Sequence, residues 1–154
     1  MKTILAAAAA AMLGLAVSTP VAPVAHAAPK CDKLGFAGLM AKCNREELPS
    51  LTLAAGKPLA EGPMALSSGV YYELKIISDG SQELAVAGAD FFRAIWINEV
   101  VINDLEVRPL GIDSFEFDDE GTIELKFIAI KPGRYVLKVP GSKGDSQKVD
   151  ISIQ

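Results

Sequence analysis

Few residues of this 154-residue chain are of types that act as nucleophile, general base or soft metal ligand. The sequence holds one histidine, His26, and two cysteines, Cys31 and Cys43. Ser-His-Asp and Cys-His catalytic sets, histidine-bearing zinc sites and blue-copper sites all require an imidazole. Because His26 lies in a segment with the features of a cleaved leader, we expect the mature chain to contain none. The sequence therefore predicts a protein that is not an enzyme of these classes.

The leader is indicated by three features of residues 1–27. Met1 and Lys2 give a short positive start, residues 4–17 are apolar, and Ala25-His26-Ala27 is a small-residue cleavage site. This pattern is typical of a secretory signal peptide. The apolar stretch is shorter than the roughly 20 residues that cross a bilayer. We therefore expect a periplasmic or secreted protein with no integral membrane span in its mature chain.

Charge restricts the partners. The formal net charge is −4, and no run of basic residues is present. Nucleic acids and anionic membrane surfaces attract basic patches, so neither is expected as a partner. A protein partner fits this composition, whereas the sequence leaves homo-oligomerisation open.

Carboxylates are concentrated between residues 113 and 120, where a hard cation such as Ca²⁺ is one possible ligand because it binds oxygen atoms. The carboxylates are Asp113, Glu116, Asp118, Asp119 and Glu120. Alternation with Phe115 and Phe117 favours a solvated strand face followed by a hairpin tip. No cofactor is predicted. The alternative function is a periplasmic metal-handling protein that uses carboxylates with Met64 or Met40.

Residues 28–68 form a segment distinct from the rest of the chain. The spacing of apolar residues over residues 32–47 is typical of a helix, but two cysteines in an oxidising compartment favour a disulfide. An unbroken helix would separate Cys31 and Cys43 by roughly 18 Å, whereas a disulfide needs Cα atoms about 4.4–6.8 Å apart. We therefore predict a Cys31–Cys43 disulfide and a short helix that turns back near Gly38 or within residues 41–44.

Residues 69–154 follow a period of two. Apolar and polar residues alternate over 122–127, 135–139 and 148–153, as in strands with one buried face. A denser apolar run at 91–98 predicts a central strand with Trp96 in the core. Lys131-Pro132-Gly133-Arg134 predicts a type II turn that joins two strands as a hairpin. Many short strands without a convincing helix predict an all-β antiparallel Greek-key sandwich.

Two stretches resemble the cupredoxins. Residues 122–139 read TIELKFIAIKPGRYVLKV, similar to the alternating strand and P-G-x-Y turn before the strand that carries the copper cysteine. Residues 94–98, AIWIN, resemble the family strand that ends in an asparagine. The resemblance covers about residues 70–154 and implies a cupredoxin-like sandwich. An immunoglobulin-like sandwich is the alternative, because P-G-x-Y turns occur there too.

The resemblance also implies where copper ligands would lie, and this sequence departs from the pattern there. The first histidine would fall near Asn103 and the cysteine at or beside Val139. The second histidine and the methionine would follow within residues 140–146, which contain neither type. Amide and aliphatic side chains do not replace imidazole and thiolate for copper. The resemblance therefore implies a cupredoxin-like protein that has lost its copper ligands.

The polar residues at this end are the first candidates for recognition. They are Asn98, Asn103, Asp104, Glu106 and Arg108. Sandwich folds often present such loops to partners. By analogy with the family, the sequence predicts a non-catalytic accessory module that acts through a protein partner in an envelope redox or transport complex.

Overall fold

A computed structural model describes residues 31–154 and the backbone of a two-residue strand before them. Except for that strand, the expected leader lies outside the described residues, as does His26. The strands are β1 (Val24–Ala25), β2 (Arg45–Glu47), β3 (Leu51–Leu53), β4 (Met64–Leu66), β5 (Tyr71–Asp79), β6 (Leu84–Ala87), β7 (Ile95–Ile102), β8 (Leu105–Val107), β9 (Ser114–Phe117), β10 (Glu120–Ala129), β11 (Gly133–Lys138) and β12 (Lys148–Ile153). One α-helix, α1 (Ala89–Phe92), and 3₁₀ turns at Gly35–Met40, Lys42–Asn44 and Asp145–Gln147 complete the described elements.

The described strands form two sheets, as an all-β sandwich requires. Sheet A has the order β1-β4-β12-β11-β6-β9, and sheet B has the order β2-β5-β10-β7-β8 with β3 also pairing with β5. Within residues 69–154 the strand pairs are all antiparallel, as predicted, and the described parallel pairs all involve strands before residue 69. The N-terminal strands β2 and β3 pair parallel to β5, and β4 pairs parallel to β12. Because these strands come from a segment outside the predicted sandwich, local alternation carried no information on their direction.

The core lies between the two sheets and follows the predicted alternation. In β10, Ile123, Leu125 and Phe127 point inward, and in β12 Val149, Ile151 and Ile153 do the same. Aromatic rings fill its centre, where Phe91 contacts Phe127 edge-on at 5.7 Å between ring centroids. Burial of this apolar surface is the main stabilising term of such a fold.

The apolar run at 91–98 is not one central strand. Phe91 and Phe92 lie in α1 and are buried, and the strand begins only at Ile95. Trp96, expected in the core, is 49% exposed on the outer face of sheet B. The alternation explains this, since Ile95 and Ile97 on either side of Trp96 point toward the core. Trp96 therefore takes the opposite face.

The Pro-Gly turn is not a hairpin, because β10 belongs to sheet B and β11 to sheet A. The Tyr135 hydroxyl donates a hydrogen bond to the carbonyl of Lys131 at 2.9 Å. A tyrosine near the start of a strand that bonds back across the preceding corner is a known feature of β-sandwiches. The local sequence encodes the bend but not which sheet the next strand joins.

The predicted disulfide is confirmed: Cys31 and Cys43 are joined, with Cα atoms 5.5 Å apart. The chain between them turns at Gly38, whose φ of 55° divides the 3₁₀ segment. The buried Asn44 fastens this loop to the sandwich, because its amide donates to the carbonyls of Leu39 and Gly69 at 2.7 and 2.9 Å. Within residues 31–154, no helix is both long and apolar enough to cross a membrane.

Candidate functional site

Three of the five predicted recognition residues meet on the outer face of sheet B. Arg108, just beyond β8, donates to the Asn98 amide oxygen at 3.4 Å and to Glu106 at 3.1 Å. The Asn98 amide donates in turn to the Tyr71 hydroxyl at 3.1 Å. Arg45 stacks over the Tyr71 ring, 4.8 Å from its centroid. The polar side of the β7–β8 hairpin is thus held in a fixed arrangement by its own hydrogen bonds.

Sequence reasoning missed the group at the centre of this arrangement, Glu99. Its side chain is 9% exposed and forms ion pairs with Lys126 at 3.0 Å and Arg108 at 3.2 Å. The register between β7 and β10 shifts at Lys126, so that Glu99 faces Lys126 while Ile97 faces Phe127. Asn98 is the extra residue of this β-bulge, and it allows both Glu99 and Trp96 to lie outside. The β-bulge could not be predicted from the sequence, because strict alternation of apolar and polar residues assumes that no extra residue is present.

Electrostatics confirm that Lys126 belongs to the same arrangement. Burial alone would lower the pKa of Lys126, but the hydrogen bond and charge of Glu99, with the charge of Glu124, hold the pKa above its ordinary 10.5. Burial raises the pKa of the neighbouring Tyr71 hydroxyl, although its hydrogen bond with Asn98 opposes this. Both groups keep their ordinary charge at neutral pH.

The other two predicted residues, Asn103 and Asp104, are not part of this arrangement. They form the two-residue turn between β7 and β8, with φ angles of 45° and 67°. Positive φ at both central positions is the geometry of a type I′ hairpin turn, which Asn and Asp tolerate. Their role in the structure is to reverse the chain so that β8 returns along β7.

The side of the hairpin opposite Arg108 is apolar and exposed. Leu105, in the edge strand β8, is 62% exposed, and Ile102, Val107 and Leu110 are also exposed. Cross-strand pairing places Leu105 opposite Ile102 and Val107 opposite Val100. We call Ile102, Leu105 and Val107 the hairpin strip.

A cleft of about 320 Å³ adjoins this strip between sheet B and the edge strand β9 of sheet A. Its apolar lining includes Ile102, Ile123 and the half-buried Phe115 and Phe117. Its other lining residues include four carboxylates, which are Glu116, Asp118, Asp119 and Glu120. We call this the acidic cleft. The cleft brings together the β7–β8 hairpin and the acidic run at 113–120.

The acidic run at 113–120 has the predicted solvated strand face, but its turn is not a hairpin tip, because β9 belongs to sheet A and β10 to sheet B. Glu116 lies on the exposed side of β9, and residues 118–119 form the turn into β10. The Asp119 carboxylate accepts a hydrogen bond from the Glu120 amide at 2.8 Å. Within the described chain, no group of three or more His, Cys, Asp or Glu side chains is arranged to hold a metal ion. Met64, one donor of the alternative metal-handling function, is buried in the core instead.

The positions where the resemblance implies copper ligands do not fit copper. Val139 is buried and packs in the hydrophobic core, and Asn103 is a turn residue. Residues 140–146 follow β11 without a histidine, cysteine or methionine. Copper sites of this type depend on imidazole and thiolate donors, and neither is offered here. Among the described residues, the positions that the resemblance implies therefore lack a copper donor set.

Comparisons with known proteins support the fold. No family model matches the sequence, and no curated protein matches it. Among solved structures, a multicopper oxidase from Campylobacter jejuni described as a metallo-oxidase aligns with a TM-score of 0.50 and 7% identity, over 71% of this chain and 30% of that one. A multicopper oxidase from Pseudomonas thermotolerans aligns with a TM-score of 0.51 and 14% identity, over 71% and 30%.

A further multicopper oxidase aligns with a TM-score of 0.52 and 7% identity, over 71% of this chain and 44% of that one. The chain thus spans less than half the length of each of these three oxidases. At such low identities the likeness shows the fold alone, and multicopper oxidases are built from cupredoxin-like domains. The described chain is therefore an all-β sandwich of the cupredoxin-like type.

Proposed function

We propose that this protein is a non-catalytic, copper-free cupredoxin-like module that binds a protein partner through the β7–β8 hairpin. The polar residues of this surface are Asn98, Asn103, Asp104, Glu106 and Arg108. The observation that carries the proposal is the hairpin strip, in which three apolar side chains stand exposed at an open sheet edge.

Edge strands are normally protected, because unpaired backbone groups beside apolar side chains invite association. Here β8 is only three residues long and precedes Pro109, which limits uncontrolled strand pairing. Its side chains nevertheless remain apolar and exposed on one side. On the other side, the contacts of Arg108 with Asn98 and Glu106 prearrange polar groups. A prearranged polar rim beside an apolar strip is typical of protein interfaces.

Export supports an envelope location for this binding. The predicted leader directs residues 28–154 out of the cytoplasm, and the Cys31–Cys43 disulfide is compatible with an oxidising compartment. We propose a periplasmic or secreted location and, by analogy with the oxidases of similar fold, a partner in an envelope redox or transport complex. The donor chemistry at Val139 and Asn103 supports a module without copper.

Site-specific photo-cross-linking tests the docking surface. A photo-reactive amino acid replaces Leu105, and the control carries it at Val136, which is exposed on the outer face of sheet A. We expect one discrete adduct from position 105 in envelope extract of the source organism, no such adduct from position 136, and loss of the adduct in a Val107→Asp background. The captured protein is then purified and must bind the native chain directly. Equal capture from both positions, or none from position 105, contradicts the proposal.

Metal analysis tests the copper-free part. The mature protein, purified without chelator and then offered Cu²⁺, should show no blue absorption band and no stoichiometric copper. One tightly held copper ion per chain would contradict this part of the proposal.

A further inference from the structure

We infer that the partner segment that occupies the acidic cleft is an extended, positively charged segment in which apolar residues alternate with Lys or Arg. This inference rests on the proposed protein-binding function and specifies the chemistry of the partner. It follows from three properties of the cleft, which are its apolar floor, its unpaired carboxylates and the strands at its edges.

The floor of the cleft offers apolar contacts. Ile102 is partly exposed at its mouth, and the rings of Phe115 and Phe117 pack on the core while remaining half-exposed. Leu105, paired with Ile102, extends the same surface outward. Burying these side chains favours an apolar occupant, since removal of apolar surface from water is stabilising.

The wall of the cleft is acidic and unneutralised. Among the described residues, no ion pair of 4.0 Å or less involves Glu116, Asp118, Asp119 or Glu120, whereas the carboxylates of Glu99 and Glu124 on sheet B are paired with Lys126. Glu83 adds to the same charge. Its hydrogen bond with Glu116, followed by the charges of Asp118 and Glu116, raises the pKa of Glu83 above its ordinary value. The raised pKa therefore reflects the closeness of these carboxyl groups, first through the hydrogen bond and then through their charges.

The apolar floor and the acidic wall together determine the sign of the partner's charge. An uncharged apolar segment that filled the cleft would remove water from the four carboxylates without giving them a counter-charge, and such burial is costly. Lys or Arg side chains of the partner would offset this loss of hydration, because they would form ion pairs with the carboxylates of the wall. A second copy of this chain would bring an equally acidic surface to a symmetric interface, so charge repulsion disfavours it.

The edges of the cleft favour an extended occupant. The edge strand β9, which lines the cleft, is four residues long. At about 3.3 Å per residue, β9 spans roughly 13 Å, so it matches the length of an extended partner segment of about four residues. A strand presents alternate side chains to opposite sides, so one set can reach the floor while the other reaches the wall.

Defined peptides test this inference on the native protein. The probes are a capped six-residue peptide that alternates lysine with valine, the same peptide with glutamate in place of lysine, and a peptide with the lysines and valines in separate blocks. Binding is followed by amide chemical shifts. We expect the alternating lysine peptide to shift the amides of Leu105, Phe115 and Phe117, and to bind at least fivefold more tightly than either other peptide at low salt.

Matched charge variants provide the specificity control. Glu116→Gln with Asp118→Asn removes two charges from the wall, and we expect roughly fivefold weaker binding because each exposed ion pair contributes a fraction of a kcal/mol. Glu47→Gln with Glu61→Gln removes two exposed charges elsewhere and should leave the affinity within twofold.

Each outcome decides between the two proposals. Equal binding of the lysine and glutamate peptides, or an equal effect of the two double variants, overturns the inference about the partner's charge. Equal binding of the block peptide overturns the extended conformation. If no peptide binds while position 105 still cross-links specifically, this inference is wrong and the proposed function stands. Failure of the cross-link contradicts the proposed function itself.

Discussion

Of the polar residues on the outer face of sheet B, Glu99 is the one whose substitution should destabilise the protein most. It is nearly buried and balances Lys126 and Arg108, so its neutralisation leaves the partly buried Lys126 with only the longer ion pair to Glu124 at 3.5 Å. We expect Glu99→Gln to lower the free energy of unfolding by about 2–3 kcal/mol in urea denaturation, below the roughly 3–5 kcal/mol for a fully buried pair because Lys126 is 19% exposed and keeps Glu124. Glu106→Gln is the matched control, because it removes an exposed carboxylate from the same Arg108.

Glu106→Gln should lower the free energy of unfolding by only about 0–1 kcal/mol, the range that exposed ion pairs contribute. Equal losses in the two variants would show that the burial of Glu99 carries no energetic weight.

The raised pKa of Lys126 also predicts a pH dependence. A lysine whose pKa is higher in the folded state contributes stability at all pH values below its ordinary 10.5, and loses that contribution as the pH rises through the folded-state value. Tyrosine ionisation lowers stability over the same range in both proteins. We therefore expect the wild-type chain to lose more stability than Glu99→Gln between pH 9 and pH 12, as measured by urea midpoints.

Parallel profiles across that range would mean that Glu99 does not hold the proton on Lys126.

At the scale of elements, the β7–β8 hairpin depends on its turn. Asp104 has a φ of 67°, a conformation that glycine adopts without the steric cost of a Cβ atom. We expect Asp104→Gly to raise the free energy of unfolding by about 0.5–1 kcal/mol, because Asn-Gly is the preferred pair for this turn. Asp104→Ala should instead lower the free energy of unfolding. Thermal unfolding of both variants checks these two expectations. Destabilisation by glycine would contradict the turn assignment.

The disulfide loop is the second element that a simple change can test. The Cys31–Cys43 bond closes a short loop with a sequence separation of 12, and the chain-entropy model assigns such a loop about 2–3 kcal/mol. We expect the double variant Cys31→Ser/Cys43→Ser to lose this amount while keeping the β-sheet signal in circular dichroism. Wild-type protein in reducing agent should match it. A complete loss of the sheet signal would mean that the sandwich needs the loop to fold.

Several elements could be predicted from the sequence because their determinants are local. The alternation in β10, β11 and β12 and the conflict between a long helix and the disulfide both gave correct results. The β-bulge at Asn98 and the position of α1 could not be predicted, because each is decided by contacts with distant strands. The recognition residues illustrate the same limit, since Arg108 and Asn98 meet only after the hairpin has folded.

At the scale of the whole molecule, charge is unevenly distributed. Ion pairs neutralise much of the outer face of sheet B, whereas Glu83, Glu116 and Asp118 lie together near β9 and repel one another. We expect Glu116→Gln to raise the urea midpoint at low salt, and this gain to shrink as added salt screens the repulsion. Glu47→Gln, exposed elsewhere, is the control and should show no such salt dependence. A gain that is independent of salt would contradict an electrostatic origin.

The overall architecture was only partly accessible from the sequence. A cupredoxin-like sandwich followed from the motif at 122–139, but the place of β4 between β1 and β12 in sheet A did not. Residues 64–66 give no alternation over so short a strand, and their parallel partner β12 lies far along the chain. The open cleft between sheet B and the edge strand β9 likewise depends on the packing of both sheets, so only the folded molecule reveals it.

The pairing of β4 with β12 sets a time order for biogenesis. Met64 lies opposite Ile151, and the Gln154 amide donates to the Leu66 carbonyl. Synthesis delivers these partners at widely separated moments, so sheet A cannot be completed until residues 148–154 have emerged. Until then, a chain that emerges from the ribosome carries β11 with one unpaired edge. It has to remain unfolded, or be shielded by a chaperone, until β12 has been synthesised.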